Sequence, residues 1–458
     1  MHPALPAYLA AQWRADDPDG YAAARDAALR ALVTAHAMAG KWLSQQLASG
    51  DAGLAYRIIE LERRTMTVML GYALEHQLWE EAWVIAEPLV RYWEARGLDE
   101  EAAEWTSRIL QVIRQPDGSP PAFASPAGGL WLSAAGAQAI WQARTGHPAD
   151  SERTYRQILA MLRAQPASAE QRSRIAVTFH DLGNTVLLQG RVEEAREWHR
   201  KSLAIKEELG DRSGVAGSYH QLAMDAMYAG RIAEAEQLHR QSLAIRQELG
   251  DQSGMASSYH ELGYLALGQF RPQEAQELFM KARDIAEELE DLTAMASAYH
   301  QLGMTARALE RADLAEDWYR RAVAIFERLG DRRGLASSYH EIGMIAQQRG
   351  RLDDAEDWYR RSLAIDEEVA NPSGLAISYL QLGDLAEQKG QFRDALVWLV
   401  RSVVQFVSAP HPLAGTALDR LARLTARLGT PALEQCWLTV TGGPLPPDVR
   451  DYVRRGRR

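Results

Sequence analysis

The amino-acid sequence predicts an all-helical solenoid, a stack of short helices in which each helix packs against its neighbours. Two observations predict this fold. The same residues recur at a spacing of 40 over much of the chain, and each copy carries apolar residues at the three- and four-residue spacing of amphipathic helices. The copies contain no alternating apolar and polar stretch of the kind that forms β-strands. Because one pair of short helices cannot bury its apolar face, successive copies are expected to stack.

Composition limits the classes of protein to which the chain can belong. The 458 residues are 47% hydrophobic, which excludes an intrinsically disordered chain, and the formal charge of −10 argues against a general nucleic-acid or anionic-membrane binder. Cys436 is the only cysteine, so neither a disulfide nor a cysteine-based zinc site is expected. The sequence shows no pattern of a secretory signal or a membrane span. We therefore expect a cytoplasmic protein whose partners include neither nucleic acid nor membrane.

Residues 1–114 are predicted to form an N-terminal helical region of degenerate repeats. Apolar residues recur with helical periodicity in segments 21–47, 53–75, 79–95 and 100–113. Eight of the 13 tryptophans precede residue 142, which indicates a substantial core in this part of the chain. Residues 115–129 contain four prolines and three glycines and predict a loop. Residues 130–174 are predicted to form a further degenerate repeat.

Six repeats of 40 residues are predicted from residue 175 to residue 410. In the second repeat, residues 215–229 and 232–249 have helical periodicity, and Gly230 separates them. The first helix of each repeat is termed helix A and the second helix B. A small residue on the buried face of helix A would let helix B approach closely. These small residues are Gly183, Ala223, Gly263, Gly303, Gly343 and Gly383.

The recurring residues resemble the tetratricopeptide repeat family. In the fifth repeat the resemblance rests on Tyr339, Ile342-Gly343, Gly350, Ala355 and Tyr359. The common repeat of this family has 34 residues, and the 40-residue form is similar to the repeats of the spindle-orientation adaptor LGN/Pins and of related bacterial proteins. The resemblance implies a right-handed superhelical solenoid of helix-turn-helix repeats that serves as a scaffold for binding peptides or proteins.

The flanking regions resemble the helical tails of bacterial signal-transduction ATPases with numerous domains. The resemblance rests on residues 73–76, 91–93 and 108–110 and on residues 440–447. The ATPase itself is missing, since Gly40-Lys41-Trp42 lacks the upstream glycine and the Ser or Thr of a phosphate-binding loop. Residues 411–458 are predicted to form capping helices, 411–428 and 431–455, with a solvated basic tail. The basic residues are Arg450, Arg454, Arg455, Arg457 and Arg458.

A stripe of side chains on helix A, separate from its buried face, is the candidate binding surface. This A-helix stripe comprises the second, fifth, ninth and twelfth residues counted from the alanine near the start of each helix A, Ala176 in the first repeat. Tetratricopeptide repeats turn this stripe toward their concave groove. Histidine can hydrogen-bond an extended partner backbone, and methionine packs adaptably. The predicted contact residues are His180, His220, His260, His300, His340, Asn184, Met224, Tyr264, Met304, Met344, Met227 and Arg307.

The five histidines of the stripe, termed the histidine ladder, have an alternative explanation. Recent duplication would preserve them equally well if they only pack between adjacent A helices. Metal binding is not expected, because neighbouring repeats are separated by about one helix diameter, roughly 10 Å, whereas zinc–nitrogen distances are about 2.0–2.1 Å. No catalytic signature stands out, so no enzyme, metal or cofactor is expected. Other aromatic residues are predicted to be packing residues: His199, His239, Trp198, Trp318, Trp358 and Trp398.

Three hypotheses for function follow. The first is a non-enzymatic scaffold that binds a partner protein or an extended peptide in the groove. The alternative is a regulatory sensor that responds to a peptide or a small signal and controls a separately encoded effector, as the resemblance to the ATPase tails suggests. The third is a pH-responsive assembly, since protonating five ladder residues near their ordinary pKa of about 6.5 would change the formal charge from −10 to −5.

Overall fold

The computed structural model describes residues 5–49, 52–115, 119–122, 125–408 and 411–455, and within these ranges all regular secondary structure is helical. This confirms the predicted all-helical fold. The chain forms two compact units, Met1–Leu238 and His239–Arg458. None of the described helices is both long enough and apolar enough to cross a bilayer.

The helices of the first unit agree closely with the sequence pattern. The four helices predicted between residues 21 and 113 are confirmed to within two residues at each end. The loop predicted over residues 115–129 ends earlier, because a helix begins at Pro126. The Ser125 hydroxyl caps this helix by accepting a hydrogen bond of 3.0 Å from the Gly128 backbone N–H. The helices are α1 (Leu5–Asp16), α2 (Tyr21–Ser49), α3 (Ala52–Glu75), α4 (Trp79–Arg96), α5 (Asp99–Ile113), α6 (Pro126–Arg144), α7 (Pro148–Arg163), α8 (Ala169–Leu188), α9 (Val192–Glu208), α10 (Arg212–Tyr228) and α11 (Ile232–Leu249), within which the unit ends.

The second unit continues the repeats and ends in three further helices. The capping helix predicted over residues 431–455 is two helices, since Gly442 adopts a left-handed φ of 71° and ends the first of them. The predicted basic tail begins inside the last helix, whereas Arg457 and Arg458 lie outside the described residues. The helices are α12 (Gln252–Gly268), α13 (Pro272–Glu288), α14 (Leu292–Ala308), α15 (Ala312–Leu329), α16 (Arg332–Gln348), α17 (Leu352–Glu368), α18 (Pro372–Gln388), α19 (Phe392–Ser408), α20 (Ala414–Leu428), α21 (Thr430–Thr441) and α22 (Pro447–Arg455).

Helices α8 to α19 are the A and B helices of the six predicted repeats. Polar caps begin the A helices: Oδ1 of Asp251 accepts a hydrogen bond of 2.9 Å from the Gly254 N–H, and Asp331 caps α16 in the same way. The turn from helix A to helix B needs one residue in the left-handed region, which glycine adopts most readily. Gly190 and Gly350 supply it with φ values of 76° and 72°. These local preferences set where helix A begins and ends in the repeats that carry them.

A glycine of helix A and a ring of helix B form the central contact of the repeat. A Cβ atom added at Gly303 would lie 2.7 Å from Cε1 of Tyr319, and one added at Gly343 would lie 2.7 Å from Cε1 of Tyr359. Both rings are fully buried. The close approach expected at the small residue is confirmed, since the missing side chain leaves the space that the ring fills. Buried serines add hydrogen bonds from helix B to helix A carbonyls: Ser202 to Ala176, Ser362 to Ala336 and Ser402 to Ala376.

The first repeat replaces the ring with a buried histidine. Nδ1 of His199 lies 2.6 Å from Oδ2 of Asp225, and Nε2 lies 3.2 Å from the backbone oxygen of His180. The Asp225 carboxylate accepts a hydrogen bond from the His199 ring, and this contact joins helix B of the first repeat to helix A of the second. Both side chains are almost completely buried. The predicted packing role of His199 is confirmed, and the structure adds a charged partner that the repeat pattern does not contain.

Replacing Gly303 with alanine is expected to lower the free energy of unfolding by about 1–3 kcal/mol, the usual effect of overpacking a core. The added methyl group would overlap the Tyr319 ring. Gly217→Ala is the matched control, because no atom lies within 4 Å of a Cβ at this helical position, and it is expected to stabilise by about 0.5–1 kcal/mol. Urea denaturation of the full chain measures both. Equal effects of the two substitutions would contradict the close packing.

A double-mutant cycle on the His199–Asp225 pair uses residues found at the equivalent positions of the third repeat, leucine as at Leu265 and phenylalanine as at Phe279, although those two residues do not face each other. Asp225→Leu alone is expected to destabilise the chain by about 1–3 kcal/mol, because it leaves a buried ring nitrogen without its acceptor. Adding His199→Phe is expected to recover the loss to within about 1 kcal/mol, since replacing both partners of a buried hydrogen bond by apolar groups can be nearly neutral. Denaturation of the four proteins tests this. Additive losses in the double variant would show that the two side chains are not coupled.

Candidate functional site

The A-helix stripe lies at the margin between the buried face of helix A and solvent. Each stripe residue named in the sequence prediction is partly exposed, whereas the residues next to it on the packed face are buried. Tyr264 is the most open of them, with half of its surface exposed. In the first unit the predicted residues are His180, Asn184, His220, Met224 and Met227. In the second unit they are His260, Tyr264, His300, Met304, Arg307, His340 and Met344.

The ladder histidines contact the helix B ring of their own repeat. The ring centroid of His300 lies 5.2 Å from that of Tyr319, and the ring of His340 lies 5.6 Å from that of Tyr359. His300 also reaches the next helix A, because its Nδ1 lies 3.0 Å from the Ser338 hydroxyl. One side of these histidine rings therefore packs against neighbouring helices, as the alternative explanation of the ladder expects. The other side remains partly exposed, so packing and partner contact are compatible in the same residue.

Burial keeps three of the ladder histidines neutral. It lowers the pKa of His180, His300 and His340 to about 4, and nearby Lys206 and Arg307 lower the first and third further. The expected change of charge from −10 to −5 near pH 6.5 is therefore wrong for these three residues. In the unfolded chain the same rings titrate near about 6.5. Their contribution to stability is complete above that pH and is lost as the pH falls toward 4.

Polar residues of the stripe are held by neighbouring side chains. In the second unit, Nε of Arg307 lies 3.1 Å from Oε2 of Glu341, and the Tyr319 hydroxyl donates to the same oxygen at 3.2 Å. Burial raises the pKa of Glu341, and the Arg307 guanidinium opposes that shift. In the first unit, Nε2 of Gln221 donates to Oδ1 of Asn184 at 2.7 Å. These contacts fix the positions of polar groups at the surface before any partner arrives.

The helix B tryptophans are occupied by packing contacts. The Trp318 ring lies 5.5 Å from that of Tyr299, and the Arg321 guanidinium lies 4.9 Å from its centroid. The Trp358 ring has the equivalent contacts with Tyr339 and Arg361. A ring that already contacts an aromatic neighbour and a cation has little surface for a stacked ligand. The packing role predicted for these tryptophans agrees with this geometry.

One feature of the second unit is not apparent from the stripe. A cavity of about 270 Å³ lies among α12, α13 and α14, and small side chains line most of it. Ser257, His260 and Ser297 of the A-helix stripe belong to its wall. The residue that marks this cavity in the sequence is Ala286, because the equivalent positions of other repeats hold the larger Lys206, Arg246 and Phe326. Only the three-dimensional structure shows that this alanine leaves space.

The chemistry of the described residues gives no sign of a metal centre. Among them, no three His, Cys, Asp or Glu side chains are grouped as metal ligands would be. The arrangement instead presents methionine, tyrosine and histidine edges beside fixed polar groups. Such a surface suits contact with another polypeptide.

Comparison with known sequences identifies the repeats. Family models described as tetratricopeptide repeat match residues 175–212, 214–288, 294–368 and 335–403. No curated protein matches the sequence at a significant level.

Solved structures with similar folds include three informative cases. A signal-transduction ATPase with numerous domains (STAND) from Pyrococcus horikoshii, with a tetratricopeptide repeat sensor, is 15% identical with a TM-score of 0.54, over 79% of this chain and 54% of that chain. BtubC from P. vanneervenii is 21% identical with a TM-score of 0.45, over 51% of this chain and 92% of that chain. A Rap protein complexed with Competence and Sporulation Factor is 15% identical with a TM-score of 0.45, over 78% and 98%. At this identity, the likeness to the STAND protein shows the fold alone. The family matches show that residues 175–212, 214–288 and 294–403 of the chain are tetratricopeptide repeats.

Proposed function

We propose that the chain is a non-enzymatic interaction scaffold that binds a partner protein or an extended peptide along the A-helix stripe. One observation carries the proposal: the stripe residues are partly exposed in both units, although they sit next to a tightly packed core. Tyrosine and methionine at such positions bury large areas when a partner covers them. Tetratricopeptide repeats generally mediate contacts between proteins, which favours the same conclusion.

The rigidity of the stripe supports binding with little reorganisation. Met304 and Met344 pack against buried clusters, and Arg307 is held by Glu341. A surface whose side chains are already positioned loses little conformational entropy when a partner binds. The twelve predicted contact residues are proposed to act in this way, with Tyr264 as the largest single contributor because it is the most exposed.

The sensor alternative differs from the scaffold in one measurable respect. A sensor must change its conformation when its signal binds, since only differential affinity for two states can transmit a signal. A preformed scaffold keeps its radius of gyration when a peptide binds. Small-angle scattering of the full chain, with and without a bound peptide, distinguishes these functions.

Tyr264→Ala is expected to weaken peptide binding by about fivefold or more, because truncation of an aromatic contact residue commonly has this effect. The probe is a phage-displayed library of random 12-residue peptides. The peptide most enriched on the wild-type chain is synthesised, and its dissociation constant is measured by fluorescence anisotropy.

Tyr228→Ala is the matched control, since Tyr228 is 65% exposed but stands one position beyond the stripe of α10. It is expected to leave the affinity unchanged. Circular dichroism is expected to show the same helix content in all three proteins. Equal loss of affinity in both variants, or no enrichment of any peptide, would contradict the proposed function.

A further inference from the structure

We infer that the third repeat recognises a polypeptide segment in which an apolar side chain stands beside a lysine or arginine. The apolar side chain enters the cavity among α12, α13 and α14, and the cation meets the acidic turn at the cavity edge. This inference rests on the proposed function, because it assigns a sequence preference to one part of the A-helix stripe.

The cavity has the size and lining of an anchor pocket. Its volume of about 270 Å³ can receive one side chain of leucine, methionine or phenylalanine size. Alanines from three helices contribute five of the twelve lining residues: Ala256 from α12, Ala282 and Ala286 from α13, and Ala294 and Ala298 from α14. All three helices belong to the second unit, so the pocket lies within one compact part of the chain.

Elsewhere in the chain the equivalent space is filled by a helix B side chain. In the fourth repeat Phe326 fills it, and a Cβ at Gly334 would lie 2.5 Å from Cε1 of this ring. In the second repeat, Nη1 of Arg246 reaches the Ser258 hydroxyl at 2.9 Å. In the first repeat, Nζ of Lys206 donates to the Ser218 hydroxyl at 3.2 Å.

Three coordinated differences open the pocket in the third repeat. Ala286 stands at the position of the long side chains Lys206, Arg246 and Phe326. Ala294 stands at the position of Gly334, the glycine that leaves space for Phe326. Ala298 stands at the position of Ser258, the serine that hydrogen-bonds Arg246. Because Ala298 has no hydroxyl, the loss of the cation at position 286 leaves no serine without its hydrogen-bond partner in this part of the wall.

The turn beside the pocket is acidic. Residues 287–291 contain Glu287, Glu288, Glu290 and Asp291, all exposed, and no lysine or arginine occurs between residues 284 and 306. The wider segments of the first, second and fourth repeats that are equivalent to 284–306 each contain at least one basic residue, Lys206, Arg246 and Arg328 among them. Asp291 lines the pocket and caps α14, and Nε of Arg283 lies 3.7 Å from Oε1 of Glu287. Glu288 and Glu290 therefore supply the rest of the negative charge at the rim, which favours a cationic neighbour on the partner.

One of these acids is held in an unfavourable backbone conformation. Glu290 has a φ of 53°, whereas Gly210, Gly250 and Gly330 occupy the same turn position with φ values of 70°, 68° and 69°. Glycine adopts this left-handed conformation without steric conflict, but a residue with a Cβ does not. Ala370 occupies the same turn position in the fifth repeat with a φ of 50°, so the fold accepts a Cβ there, and Glu290 differs from its counterparts in carrying a carboxylate.

The test compares wild-type and filled-pocket proteins with peptides selected from a phage-displayed library of random 12-residue peptides. Peptides enriched on the wild-type chain are expected to share an apolar residue within about two positions of Lys or Arg. The double variant Ala286→Phe with Ala294→Gly recreates the packing of Phe326 and Gly334. It is expected to bind the selected peptide at least about tenfold more weakly, since burial of one apolar side chain is lost.

Two controls keep the outcome interpretable. Ala308→Phe adds the same ring at an exposed position of α14 outside the pocket, and it is expected to leave the affinity unchanged. The triple variant Ala286→Arg, Ala294→Gly and Ala298→Ser recreates the arrangement of Arg246, and it should also lose binding while its melting midpoint stays at or above that of the wild type. Either filled-pocket variant suffices if the other does not fold.

The charged part of the inference has its own variant. Glu290→Gly relaxes the turn and removes one carboxylate, so it is expected to raise the melting midpoint and to weaken binding by about threefold at low salt.

The possible failures are distinguishable. If Tyr264→Ala weakens binding but the filled-pocket variants bind normally, the pocket inference is wrong and the proposed function stands. Selected peptides without the apolar and basic pair would also overturn the inference. If no peptide is enriched, both the inference and the proposed function fail.

Discussion

The close approach of two helices at a glycine is the constraint on which the rest of the repeat depends. Where Gly303 faces Tyr319 and Gly343 faces Tyr359, a single added carbon would overlap the ring. The ring can then be fully buried, and the face of helix A that holds the glycine is committed to packing. The remaining stripe of helix A must face outward. The surface available for partners is thus a consequence of how the core is packed.

The histidine ladder shows how one residue can contribute both to the packed face of helix A and to the outward-facing stripe. The ring of His300 touches Tyr319 and the Ser338 hydroxyl, and burial lowers its pKa to about 4. Such a histidine behaves as a neutral polar side chain over the physiological range, which favours hydrogen bonding over pH sensing. The partly exposed Met304 and Met344 and the more exposed Tyr264 supply apolar area on the same stripe. Together they form a surface of mixed character, which is typical of sites for polypeptide partners.

Much of the fold could be predicted because the 40-residue period places every repeat in the same register. The helix boundaries of the N-terminal region also follow from periodicity, as α2 to α5 show. What could not be predicted depends on contacts between residues distant in sequence. The pairing of His199 with Asp225 joins helix B of one repeat to helix A of the next. The pocket beside Ala286 arises only when three helices meet.

We propose that the A-helix face, and not the tryptophan-bearing helix B face, binds a polypeptide. A crystal structure of the full chain with a library-selected peptide tests it most directly. The expected result places the peptide across α12 and α14, in contact with Tyr264, with an apolar side chain beside Ala286. A peptide bound instead against Trp318 and Trp358 on the B helices would contradict the account.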